Sequence, residues 1–156
     1  MTVEARLARL EAAEQIRALK ARYCELCDSG YDADNLAELF VENAVWDGGG
    51  QLGRHEGREA IRRFFQSMPA MISFAIHHVS NPFIWVSDDA TSATGRWYLF
   101  QTATTAPEGH AIWFAATYED AYIRVGDSWF FKEVLLKRRF VAPYERGWAK
   151  RSDGAA

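Results

Sequence analysis

A chain of 156 residues and 17.7 kDa is sized for one domain, since two would leave each half a thin core under a large surface. With 49% apolar and 25% charged residues, the composition excludes a disordered or low-complexity chain. Eighteen Lys and Arg against 21 Asp and Glu give a net charge of -3 with no long basic run, which argues against nucleic acid or an anionic membrane as the partner and for a small molecule.

One domain over 1–150 is expected, followed by a polar, disordered tail over 151–156. No stretch approaches the ~20 consecutive apolar residues that a bilayer requires, and the first twenty residues lack a signal peptide's apolar core, so the expected location is cytoplasmic.

In chain order, Val3, Leu7 and Leu10 start a helical stripe whose phase slips at Ala12 and Ala13 and resumes at Ile16, Leu19, Tyr23 and Leu26. That pattern predicts a broken helix, or two helices, ended by Ser29 and Gly30. A short helix is expected over 35–40, capped by Asp34 or Asn35, with Leu36, Leu39 and Phe40 inward. A brief strand over 44–47 stops at three consecutive glycines. Ile61, Phe64, Phe65 and Met68 then mark an amphipathic helix over 58–68, halted by Pro69.

The second half changes character. Segments 72–86, 91–104, 110–124 and 128–141 are rich in β-branched and aromatic residues and are separated by turn-forming triplets, which predicts long strands in hairpins. Helices followed by an antiparallel meander make an α+β domain, with the helices on one face of a strongly curved sheet. Six Trp, six Tyr and ten Phe suit either a packed core or an apolar cavity.

Few residues offer chemistry. Cys24 and Cys27 form a C-x-x-C inside a helical pattern, without the further ligands that zinc requires or the preceding strand of a redox motif, and read as two half-buried thiols. Strand alternation sends His77, Val79, Asn81 and Phe83 one way and His78, Ser80 and Pro82 the other, so one histidine faces the helices. A buried imidazole needs a partner. Asp28, at the C-terminal end of the first helix, is unfavourably placed against the macrodipole unless a donor compensates it. A solvated Asp-Ser-Gly turn is the plainer reading of the residues alone, and Asp28 falls roughly 140° from the Ile16/Tyr23 stripe at about 100° per residue. The residues alone leave the Asp28–His77 pair open.

Several strings resemble the SnoaL-like, nuclear transport factor 2-like superfamily: 23–28, Glu42-Asn43-Ala44-Val45-Trp46, Gly57-Arg58-Glu59-Ala60, Ile76-His77 through Asn81, Thr117-Tyr118 followed by Tyr122, and Trp129-Phe130-Phe131. The resemblance runs from about Glu14 to Phe140 and is nearest to the branch of scytalone dehydratase, hexachlorocyclohexane dehydrochlorinase and bile acid 7α-dehydratase. It implies a cone-shaped α+β barrel, a curved antiparallel or mixed sheet wrapped by N-terminal helices around a hydrophobic pocket.

The resemblance also implies a His-Asp dyad at His77 and Asp28, with Asn81 four residues beyond the histidine. Asp28 would hold one ring nitrogen while the other removes a carbon-bound proton, giving a lyase of the dehydratase type without cofactor or metal. The implied substrate is a hydrophobic cyclic, polyketide- or steroid-like molecule. Trp46, Phe64, Trp113, Phe114 and Tyr118 are the candidate pocket lining, and strand parity adds His110 at the pocket mouth; core packing accounts equally well for Trp46 and Tyr118. The scytalone dehydratases carry Tyr where this chain has Cys27, which departs from their water site. Arg96 matches an Arg of the limonene epoxide hydrolases, but Tyr98 replaces the Asp that epoxide hydrolysis needs.

Competing readings are a proton-shuttling isomerase, a non-catalytic small-molecule-binding protein, and a structural subunit like the small chain of aromatic-ring dioxygenases. The resemblance further implies a homo-oligomer, a trimer before a dimer. His55 reads as a solvated loop residue, and the terminal Tyr144 and Trp148 as covering apolar surface.

Overall fold

The computed structural model describes residues 1–149; the expected tail over 151–156 lies outside the described residues. The chain opens on one continuous helix, α1 (Val3–Asp28), whose N-terminus is capped by the Thr2 hydroxyl accepting from the Ala5 N–H at 3.2 Å. The expected break at Ala12 is corrected. The inward stripe is Ala12, Ile16, Lys20, Tyr23 and Cys27, at steps of three and four, and it runs through the slip without interruption. Val3, Leu7 and Leu10 are exposed and belong to a different face.

Helix α2 (Ala33–Glu38) is capped by Asp32, whose carboxylate accepts from the Asn35 N–H at 3.2 Å, in place of the expected Asp34 or Asn35. Phe40 starts a strand instead of ending that helix. Strand β1 (Phe40–Gly49) is longer than expected because it pairs on both sides, in parallel with the last strand and antiparallel with β2 (Gly53–Glu56). Gly49 and Gly50, at φ 59° and 47°, carry the left-handed turn between them. The polar four-residue β2 has no alternation to announce it. Helix α3 (Arg58–Ser67) passes into a 3-10 turn at Met68–Ala70, where Pro69 ends the α-helical ladder.

Strands β3 (Ile72–Val86), β4 (Ser92–Thr105), β5 (Ala111–Val125) and β6 (Ser128–Pro143) follow as a meander, each boundary close to expectation. The sheet order is β2-β1-β6-β5-β4-β3, mixed because β1 and β6 run parallel, and it does not close on itself. The fold is α+β. Helix α1 lies across β3 and α3 lies against β1, so apolar side chains from the helices and the inner sheet face share one core. Ile16, Leu36, Phe40, Ile61, Phe131 and Val134 are entirely buried within it.

Candidate active site

Helix α1 ends on Asp28, and the chain reverses through Gly30 and Tyr31, both left-handed at φ 87° and 59°. The Tyr31 N–H donates to the Cys27 carbonyl at 3.2 Å and the Asp32 N–H to the Leu26 carbonyl at 3.2 Å, which satisfies the end of the helix. This turn leaves the Asp28 carboxylate against β3, the outermost strand on its side of the sheet. The His77 backbone N–H donates to both carboxylate oxygens, at 3.1 and 3.2 Å, while the His77 Nδ1 stands 2.6 Å from Asp28 Oδ1. An acid that meets a strand edge has no need to point into the helix's core stripe. The angular offset that kept Asp28 from the core is what brings it to His77.

An ionised Asp28 accepts from Nδ1–H, which places the proton on that nitrogen and leaves a lone pair on Nε2. The side chain of His77 is 6% exposed and that of Asp28 is 27% exposed. His77 borders two spaces. One is a partly open cavity of about 90 Å³ lined by Trp46, Phe64, Phe65, Phe114, Tyr31 and Gln101, among others. The other is an open groove between α1 and β3 of about 630 Å³, bordered by Asp28, Arg17, Lys20 and Trp97. Asp28 borders the groove and does not line the cavity, whereas His77 borders both; Asp28 holds Nδ1, and Nε2 has no hydrogen-bond partner among the described residues.

The other expected site residues divide. Trp46, Phe64 and Phe114 line the cavity beside His77, whereas Asn81, Tyr118, Trp113 and His110 do not. Alternation from His77 fails at Asn81 because β3 shifts register between Ser80 and Phe83, and Asn81 takes φ 51° and faces solvent. Tyr118 points inward but lies deeper, 2% exposed, its ring 3.3 Å beneath the Lys20 ammonium. Trp113, one residue from Phe114, takes the outer face and stacks on Phe100 at 5.4 Å. His110 precedes β5 and is exposed. His78 is likewise exposed, on the face opposite His77.

His55 is not a solvated loop residue. Its ring stacks on Phe64 at 4.3 Å and Nε2 lies 2.8 Å from the Leu52 carbonyl, bracing the cavity wall from behind. Trp148 packs on Phe140, Phe100 and Trp113, so the terminal segment covers its own domain.

Sequence reasoning missed two polar residues in the cavity wall. Tyr31 and Gln101 are 7% and 8% exposed, and Gln101 is the cross-strand partner of His77. The signal for Gln101 was present, because it interrupts the apolar alternation of Trp97, Leu99 and Ala103. Burial raises the hydroxyl pKa values of Tyr23, Tyr31 and Tyr118, which keeps these groups as neutral donors. Tyr23 accepts from the Trp46 indole N–H at 3.0 Å. Cys24 and Cys27 are free and buried instead of half-buried, and burial pushes the Cys24 thiol up to about 11. Among the described residues no cluster of His, Cys, Asp and Glu is arranged to hold a metal ion. None of their helices is long and apolar enough to cross a membrane.

The profile of the SnoaL-like domain matches residues 8–134. Among solved structures, a type 2 hexachlorocyclohexane dehydrochlorinase, LinA, superposes with a TM-score of 0.81 at 21% identity, covering 94% of this chain and 99% of that one. A protein assigned as a scytalone dehydratase from Novosphingobium aromaticivorans gives a TM-score of 0.77 at 24% identity over 99% of both chains. A nuclear transport factor 2-like protein with a cystatin-like fold from the same organism gives 0.72 at 26% identity over 88% of both.

Proposed function

Since the chain belongs to the SnoaL-like domain family, we propose that it is a cofactor-independent lyase that eliminates water or another small leaving group from an apolar cyclic substrate, with His77 as the base and Asp28 as its orienting acid. The observation that carries this reading is the position of one ring: His77 borders an aromatic-lined cavity while its Nδ1 is bonded at 2.6 Å to an acid that does not line that cavity, and Nε2 has no hydrogen-bond partner among the described residues. The similarity to dehydrochlorinases and to a protein assigned as a scytalone dehydratase supports the reading at the level of the fold.

The chemistry follows from the geometry. Nε2 takes a proton from carbon as Asp28 stabilises the imidazolium that forms, and the imidazolium then returns that proton to the leaving group. The largely apolar lining disfavours water, so a bound substrate would meet the base with little competition from bulk solvent. A cavity of about 90 Å³ is nearer to the ~150 Å³ that holds one benzene ring than to the ~300–1,000 Å³ of drug-sized pockets. A single ring therefore suits it better than a polyketide or a steroid. Isomerisation would use the same base, and binding alone would use the same cavity. The dyad favours catalysis, because binding an apolar ring gives no reason to orient an imidazole with an acid placed outside the cavity.

The test uses 3-hydroxycyclohexanone and follows the appearance of 2-cyclohexenone. His77→Gln and Asp28→Asn are each expected to lower turnover by roughly 10²–10⁴-fold with little change in Tm. Turnover unchanged in both folded variants would refute the dyad. The same family membership leads us to expect a homo-oligomer, a trimer before a dimer, which light scattering reads directly.

A further inference from the structure

We propose that Tyr31 and Gln101 form an oxygen-recognising donor pair beside His77, which commits this cavity to substrates carrying a carbonyl or similar oxygen next to the acidic carbon and disfavours hydrocarbons of the same shape. The proposal rests on the dyad reading for its chemistry and on separate observations for its geometry.

The first observation is the placement of two polar groups in a wall that is otherwise aromatic and aliphatic. Tyr31 and Gln101 line the cavity with His77 and are almost fully buried. Polar side chains buried in an apolar wall cost free energy unless they find partners. Gln101 stands near the Tyr31 hydroxyl without a hydrogen bond closing between them. Together they hold three donor hydrogens, two on the amide and one on the hydroxyl. Donors remain for a ligand atom.

The second observation is backbone strain. Tyr31 is a non-glycine residue at φ 59°, a conformation that costs roughly 1–3 kcal/mol for such residues and persists where the surroundings over-determine it. Two contacts hold the ring there: it stacks on Phe65 at 6.4 Å and meets the His77 ring edge-on at 6.5 Å between centroids. Glycine at this position would end the helix without strain, but it would remove the hydroxyl from the cavity.

The third is spacing. Gln101 is directly opposite His77 in the β3–β4 register, and such cross-strand neighbours have Cβ atoms about 4.5–5.5 Å apart. Side chains that rise from neighbouring positions on one face can converge on a carbonyl oxygen and the hydrogen of its neighbouring carbon, which lie close together on one ring. One ring can therefore offer its proton to Nε2 and its oxygen to the pair at the same time.

The step balances as follows. The C–H bond breaks toward Nε2, its electron pair forms the carbon–carbon double bond of an enolate, and the negative charge on oxygen is met by the Gln101 and Tyr31 donors. Collapse of the enolate re-forms the carbonyl and makes the new double bond as the neighbouring C–O bond breaks. The departing hydroxide takes the proton from the imidazolium and leaves as water. Donors preplaced on a developing oxyanion are worth about 10²–10³ in rate each.

Two measurements test the pair. The first compares affinities for cyclohexanone and methylenecyclohexane, which differ by oxygen against CH₂, in the wild type, Tyr31→Phe, Gln101→Leu and Asp28→Asn. The wild type and Asp28→Asn should favour the ketone by about tenfold or more, because the hydrocarbon leaves buried donors unpaired. Tyr31→Phe and Gln101→Leu should lose most of that preference while still binding methylenecyclohexane, which shows that they fold. The second follows hydrogen–deuterium exchange at the carbon next to the cyclohexanone carbonyl. Asp28→Asn should slow it through the base, and Gln101→Leu should slow it through the oxygen. Equal affinity of the wild type for the two probes, or an undiminished ketone preference in both Tyr31→Phe and Gln101→Leu, overturns the pair whatever the dyad does. Loss of preference in those two variants with exchange unaffected by Asp28→Asn would retain the pair as a recognition element and reject the dyad.

Discussion

The Lys20 ammonium lies 2.9 Å from Asp120 Oδ2, with side chains 1% and 0% exposed, although 100 positions separate them in the chain. The Tyr122 hydroxyl donates to the same carboxylate oxygen at 2.8 Å, and the Trp97 indole N–H donates to that hydroxyl at 3.1 Å. The Lys20 ammonium also rests on the Tyr118 ring. Burial raises the Asp120 pKa while Lys20 pulls it down. Removing one member strands the other charge without solvent, so Lys20→Met and Asp120→Leu should each cost about 3–5 kcal/mol. The double variant should cost far less than the sum. Urea denaturation of the four proteins measures this, and additive losses would show that the two charges do not depend on each other.

Gly48 matters through what lies beside it. A Cβ there would meet the Trp46 ring at 2.7 and 2.8 Å and Leu52 Cβ at 2.7 Å, closer than ordinary contact. Trp46 and Leu52 both line the cavity, and Trp46 packs against Phe64 at 4.3 Å. Gly48→Ala should therefore cost about 1–3 kcal/mol and shift the Trp46 indole. Its fluorescence maximum and its hydrogen bond to Tyr23 report the shift. An unchanged spectrum and Tm would mean that the β1 backbone absorbs the methyl group.

The two thiols should be inert in the native protein. Cys24 is pushed up to about 11 from 9.0 chiefly by burial, and Cys27 is raised for the same reason. Neither should react with a thiol reagent at pH 8 until denaturant is added. The sign for stability follows from a raised folded-state pKa: the Cys24 contribution is fully present below pH 9 and is lost as the pH rises toward about 11. Cys24→Ser should flatten the fall in Tm over that window.

How much of this was legible depends on which interactions fix each element. Long strands with alternating aromatic and β-branched residues announced themselves, and β3 through β6 lie close to expectation. Elements defined by their partners did not. Strand β2 exists because Trp46 pairs with His55 and Asp47 with Arg54, and no periodicity in four polar residues encodes that. Helix phase and the family resemblance pointed to Trp46, Phe64, Phe114 and His77, which line the cavity, but strand alternation misled at Asn81, where one register shift inverts every later assignment on the strand. Lys20 and Asp120 were readable as charges in phase with the buried stripes Ile16/Tyr23 and Tyr118/Tyr122. The helical wheel set Asp28 off the core stripe, as the structure has it, and left its partner open because that partner is a strand edge and not the core.

That edge contact gives the last prediction. β3 is the terminal strand of its sheet, and the amides on its free side have no ladder partner. The His77 N–H is an exception, because both Asp28 oxygens accept from it at 3.1 and 3.2 Å. Its amide should exchange slowly with solvent deuterium for an edge position, while the free-side amides of β3 that lack such an acceptor exchange fast. Asp28→Ala removes the acceptor and the imidazole's partner together, so it should speed His77 exchange and free the ring at once. Asp28→Asn retains one side-chain oxygen and should preserve much of the amide protection while altering the proton balance on Nδ1. Amide exchange by NMR across the three proteins separates the two duties of this carboxylate. Equal His77 exchange in the wild type and Asp28→Ala would show that the acid anchors the ring alone and leaves the strand to itself.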